Sequence, residues 1–212
     1  MKPSVERRRF TRLGLSFRRT GRLVQATLER MDILRILCAA VVYGGALVAA
    51  DQAPQASQVF DRTLTNTEKE FVSLVAAMPA DKFGFAPTAG KFDGVRTFGQ
   101  QAKHAAYVIN ELAAAILGEK TPPTGPHENG PDNLTSKDQI LQYVKDAFAH
   151  AHKAVATLTN SNMLELTPDP FDPKGKRTRV DSVSTMFSHT FDHYGQMVEY
   201  ARMNGIVPPA SQ

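Results

Sequence analysis

Apolar residues recur at three- and four-residue steps from Val59 through Phe60, Leu64, Phe71, Leu74 and Val75 to Met78. That spacing lines one face of an α-helix, so a first helix is expected from Gln58 to Met78, closed by Pro79. A second stripe runs through Phe98, Ala102, Ala105, Ala106, Val108, Ile109, Leu112, Ala113 and Ile116, with Thr97 placed to cap its start and Gly118 to stop it. A third uses Ile140, Leu141, Val144, Phe148, Ala151, Val155 and Leu158 after a capping-box-like Thr135-Ser136-Lys137-Asp138. A fourth is expected from Asp181 to Asn204, ended by Gly205 and kept from resuming by Pro208-Pro209. Between the helices lie a Gly/Pro-punctuated loop after Pro79, the stretch EKTPPTGPHENGPDNL, and an irregular stretch from Ser161 to Arg179 carrying Pro168, Pro170 and Pro173. No strand, internal repeat or low-complexity tract stands out. The expected class is all-α, a four-helix bundle with long crossover connections, over residues 58–209.

The front of the chain reads differently. Residues 1–50 carry ten of the 25 Lys+Arg but three of the 21 acidic residues, leaving 15 basic and 18 acidic residues beyond position 50. The sequence pI of about 9.2 therefore reflects the leader, and the body has no basic excess with which to neutralise phosphates, which argues against nucleic acid as a partner. Met31 and Arg35 precede an uncharged run from Ile36 to Ala50 that ends in Val48-Ala49-Ala50. Residues 31–50 read as a signal peptide cleaved before Asp51, with 51–57 a flexible mature start and 1–30 a basic extension or the product of an upstream start. The expected location is exported, periplasmic or extracellular, with no stable membrane span after processing. The alternative is an anchor formed by residues 36–50, although a membrane span needs about 20 residues. Cys38 is the single cysteine. Without the leader, chemistry falls to histidine, carboxylate, hydroxyl or a bound cofactor.

Histidine supplies the candidate. His189 and His193 lie four apart on the fourth helix, about 40° from each other around its axis, so their rings can converge. Two such nitrogens suit zinc, nickel or manganese. A third ligand must come from another helix, and His104, flanked by small alanines on the second helix, is the best placed. Three neutral histidines leave coordination positions open, as in catalytic sites. The pair alone equally fits histidines that pack or face solvent. His150 and His152, two apart, point to roughly opposite sides of the third helix, and His127 falls in a Gly/Pro-rich loop read as solvent-exposed.

Two stretches change this balance. HTFDHYGQMVEYARMNGIVPP and TFGQQAKHAAYVINELAAAILG resemble the two motif-bearing helices of the DinB-like (YfiT-type) metalloenzyme family, in which a His-x-x-x-His pair is followed by Gly-Gln. The resemblance spans Phe60 to Pro209, with Tyr194 at a variable position and Gly195 and Gln196 fitting the motif. It implies a four-helix bundle holding a divalent metal on His104, His189 and His193. It also implies a metal-dependent enzyme of small molecules, either a transferase using a low-molecular-weight thiol as co-substrate or a hydrolase or isomerase, and homodimerisation is common in the family. Absence of cysteine suits a borrowed thiol, and no Glu sits beside the histidines as in His-Glu-x-x-His. Export weighs against the thiol, since small thiols are mainly cytoplasmic. The alternatives are an exported, non-catalytic metal- or ligand-binding helical module, and a purely structural bundle.

The neighbours carry expectations of their own. Gly195 is expected to admit a close helix or loop. Gln196 is expected to reach a metal-site water or a backbone group, or simply to bond one helix to another. Asp192, three residues after His189, is expected either to orient a ring N–H or to be a surface acid. Tyr200 continues the stripe and reads as a core tyrosine, and Arg202 suits a helix C-terminus. Arg96 stands just before the second helix.

Overall fold

The computed structural model describes residues 53–120 and 128–212. The leader readings over 1–50, the start of the 51–57 segment and the exposure of His127 fall outside those residues. Among the described residues no helix is long and apolar enough to cross a membrane.

Four helices carry the fold: α1 (Ala56–Ala77), α2 (Phe98–Leu117), α3 (Lys137–Ala156) and α4 (Arg179–Met203). Each of α1 and α2 packs against both α3 and α4. The shared core includes Phe71, Leu74, Phe98, Leu112, Phe148, Met186 and Met197, all under 2% exposed. Phe71 and Phe148 meet with ring centroids 6.0 Å apart. Full burial of such side chains is worth about 1.5–3 kcal/mol each, so this contact region rather than helix propensity holds the elements together.

The helix ends show where local sequence decides and where it does not. Thr97 and Gln100 exchange two bonds at the start of α2, the Gln100 N–H donating to Thr97 Oγ1 at 3.3 Å and the Thr97 N–H to Gln100 Oε1 at 2.9 Å. The corresponding box on α3 lies one residue later than expected: Ser136 caps, and Gln139 rather than Asp138 reaches back. Helix α1 begins earlier than its periodicity indicates, because the Ala56 N–H donates to Asn160 Oδ1 at 2.8 Å. Helix α4 also begins earlier, capped by Thr178 Oγ1, which accepts the Asp181 N–H at 3.2 Å. It closes as expected, with Gly205 at φ 74° and the Ile206 N–H reaching back to the Ala201 carbonyl at 3.0 Å.

The expectation of an all-α chain without strands is corrected between α3 and α4. Strands β1 (Leu166–Asp169) and β2 (Asp172–Thr178) pair antiparallel, with Leu166 opposite Thr178 and Thr167 opposite Arg177, and the register breaks after Pro168. The described residues are thus mostly helical with one small two-stranded sheet. Prolines are tolerated because both strands of a two-stranded ribbon are edges. The turn is stabilised by Asp169 and Asp172, whose carboxylates accept the N–H groups of Phe171 and Lys174 at 2.9 and 3.0 Å. Most of the ribbon is exposed, so it lacks the apolar alternation that announces a half-buried strand.

Candidate metal centre

Helix α2 is buried nearly all round, which carries His104 into the interior at 7% exposure. Helix α4 presents His189 and His193 on one face. The three Nε2 atoms converge: His189 Nε2 lies 3.0 Å from His104 Nε2 and 3.1 Å from His193 Nε2. The ring centroids are 4.5–4.9 Å apart. In a tetrahedral zinc site with bonds of 2.0–2.1 Å, ligand nitrogens stand about 3.3 Å apart. The spacing fits, and the three residues can hold a metal ion.

What faces away from the centre fixes the tautomers. His104 Nδ1 contacts the Glu128 backbone carbonyl. A carbonyl only accepts, so Nδ1 carries the proton and Nε2 offers its lone pair to the centre. His193 is fixed through a relay. Asp192 Oδ2 accepts from Gln196 Nε2 at 3.2 Å, and Gln196 Oε1 then accepts from Gln101 Nε2 at 2.8 Å. Gln101 Oε1 is left to accept from His193 Nδ1. An ionised carboxylate at one end therefore sets both amide orientations and leaves His193 Nε2 bare. Two lone pairs then face His189 Nε2, which as a donor can serve at most one of them, whereas a cation satisfies all three.

Electrostatics favour the same state. Burial, the largest cause, pushes the His193 pKa down to about 3, reinforced by the neighbouring His189 and His104 and by Arg96. Burial also lowers His104 and His189, partly opposed by the Glu128 carbonyl bond in the first case and by the Asp192 charge in the second. All three rings are thus neutral near pH 7, the form that binds metal.

The loop supplying the Glu128 carbonyl is seated by Gly130, at φ 70°. A Cβ there would stand 2.9 Å from the Lys103 carbonyl oxygen, so only glycine permits this approach to α2. Lys103 Nζ adds a bond to the Pro131 carbonyl at 3.0 Å. A cavity of about 880 Å³ opens on the histidines, with Arg96, Tyr107, Phe171 and Asp192 in its wall.

The remaining sequence expectations divide. Asp192 does not orient His189 directly; it anchors the relay to His193. Gln196 follows the helix-to-helix alternative, bonding Gln101 across to α2 as well as Asp192 on its own helix, and reaches no backbone group. Gly195 admits no close neighbour, since a Cβ there would meet nothing within 4 Å. Tyr200 is a core residue, 6% exposed, with its hydroxyl on the Arg96 carbonyl at 3.3 Å. Arg202 pairs with Glu199 at 2.8 Å. His150 and His152 stay apart from the site. Gln101 was not foreseen, and its signal was available: a polar residue three before His104, inside an otherwise apolar stripe. The Glu128 carbonyl has no such signal.

Comparison with known proteins gives the family and agrees with the fold. The DinB superfamily profile matches residues 63–197, more than half of the chain. The chain belongs to the DinB superfamily. Its fold is similar to that of a DinB-like protein from Bacillus cereus, with a TM-score of 0.56 at 17% identity over 71% of this chain and 93% of that one. It is also similar to a conserved protein from Enterococcus faecalis, with a TM-score of 0.56 at 14% identity over 71% of this chain and 98% of that one. No curated protein matches this DinB-superfamily chain in sequence.

Proposed function

We propose that this DinB-superfamily protein uses its four helices as a bundle scaffold for one divalent cation on His104, His189 and His193, and that it is a metal-dependent enzyme transferring a small thiol to an electrophilic small molecule. The observation that carries the reading is the convergence of three Nε2 atoms, two of them held bare by bonds behind the ring. A bound divalent cation would supply Lewis acidity that favours the thiolate form of a small thiol at neutral pH. The chain's residues supply the rest. The relay behind His193 and the Glu128 carbonyl behind His104 hold the ligand rings in place. The cavity, of a size normal for small-molecule sites, gives room for thiol and acceptor together. Thiol transfer is favoured over hydrolysis because Asp192 anchors the relay through Gln196 and no Glu follows His189 as the general base does in His-Glu-x-x-His.

The test is turnover of cysteine with 1-chloro-2,4-dinitrobenzene by protein loaded with zinc, nickel or manganese, followed by chloride release. Metal-dependent turnover that disappears in His193→Ala supports the proposal. Full metal occupancy without turnover on this pair, on other thiol and electrophile pairs or on amides would make the protein a binding module instead.

A further inference from the structure

We infer that Arg96 makes the cavity selective for an amphipathic anion, a substrate bearing a carboxylate next to an aromatic or aliphatic group. This deepens the metal-site reading and rests on it. Arg96 sits on the loop entering α2 and shares the cavity wall with all three histidines.

The side chain is aimed. Arg96 Nε donates to Asn129 Oδ1 at 2.7 Å, so one edge of the fork is tied to the loop that also positions His104. Nη2 donates to Glu128 Oε2 at 3.0 Å. Nη1 makes no hydrogen bond among the described residues. The Glu128 side chain is 80% exposed, and an ion pair with so open a partner is weak and screened. A ligand carboxylate can compete for the guanidinium, whose planar fork matches that group. Three neutral ligands would also leave the full charge of a divalent cation uncompensated, and this second positive centre faces the same cavity. Asp192 opposes it, but its Oδ2 is occupied by Gln196.

Apolar surface stands beside the charge. Val95 and Phe171 line the cavity while remaining 37% and 48% exposed, and Tyr107 and Pro170 adjoin them. Phe171 comes from the β1–β2 turn, so the hairpin absent from the helical plan contributes a wall of the site. A flat apolar group can lie against Phe171 with its acid directed to Arg96.

Phenylacetate and its neutral isostere phenylacetamide are the probes, titrated calorimetrically into zinc-loaded protein whose zinc content is measured in parallel. Phenylacetate is expected to bind at least ten-fold more tightly than the amide. Arg96→Gln is expected to abolish that preference while retaining one zinc per chain, Arg96→Lys to keep part of it, and Phe171→Ala to weaken both probes alike. Equal binding of acid and amide to wild type, or an undiminished preference in Arg96→Gln, overturns the anion site and leaves the metal reading standing if zinc is bound. Wild type that binds no zinc overturns both.

Discussion

The chain has two close pairs of histidines, and only one pair is available to a metal. His189 and His193 turn their Nε2 atoms toward each other and toward His104. His150 and His152 spend both ring nitrogens on the protein. His152 bridges Asp61 at 2.6 Å and Glu68 at 3.1 Å, both on α1. His150 bridges Asn110 at 3.1 Å and Glu119 at 2.9 Å. His152 thus has a carboxylate at each ring nitrogen, and His150 an amide and a carboxylate, so neither ring turns a nitrogen toward a second histidine. A single carbonyl behind the ring fixes one N–H and frees the other nitrogen. The partner behind the ring, more than the histidine itself, separates a ligand from a helix clamp.

The largest effect expected from breaking this contrast is on ligand loss. A metal at 100 times its Kd stabilises a protein by about 2.7 kcal/mol. His189→Ala is expected to abolish the metal-induced rise in Tm, whereas His150→Ala is expected to preserve it; thermal melts with and without zinc compare them. Next comes the relay. Gln101→Leu removes the acceptor behind His193 and is expected to weaken metal binding about 10- to 100-fold, measured by competition with a chromogenic chelator.

Acid sharpens the contrast in the metal-free protein. An unfolded histidine titrates near 6.5, but His193 in place titrates at about 3. Between those values the unfolded chain binds more protons, so the stability present above pH 6.5 is lost progressively as the pH falls toward 3. Urea midpoints across that range are expected to fall less steeply in His193→Gln. The smallest effects are on exposed faces. His152→Ala, which removes partly exposed bonds to Asp61 and Glu68, is expected to cost about 1 kcal/mol. Gly195→Ala, with open space at the new Cβ, is expected to stabilise α4 by up to about 1 kcal/mol. Both are read from urea midpoints, and neither is expected to change metal content.

Much of this was legible in the sequence, for physical reasons that also mark where legibility stops. Helical stripes and caps are local, so Thr97, Gly118 and Gly205 fall where expected. The i, i+4 spacing of His189 and His193 dictates a shared face, and the alanines around His104 indicate an interior helix. The Asn160 bond that starts α1 early spans more than a hundred residues and leaves no local trace. The hairpin is hidden by its prolines and its exposure. Gln101 was legible as a polar residue three before His104 within an apolar stripe, although a helix buried on nearly every side blurs that signal. Glu128 acts through its backbone, which every residue has. Gly195 reads as a packing glycine, yet the structure gives it no neighbour; its place in the motif has no packing explanation.

The most direct test is elemental analysis of purified wild type, His193→Ala and His152→Ala after zinc loading and dialysis. One equivalent of zinc per chain in wild type and His152→Ala, with almost none in His193→Ala, is the predicted result. Full zinc in His193→Ala, or its loss in His152→Ala, would contradict the assignment of the metal to the α2–α4 histidines.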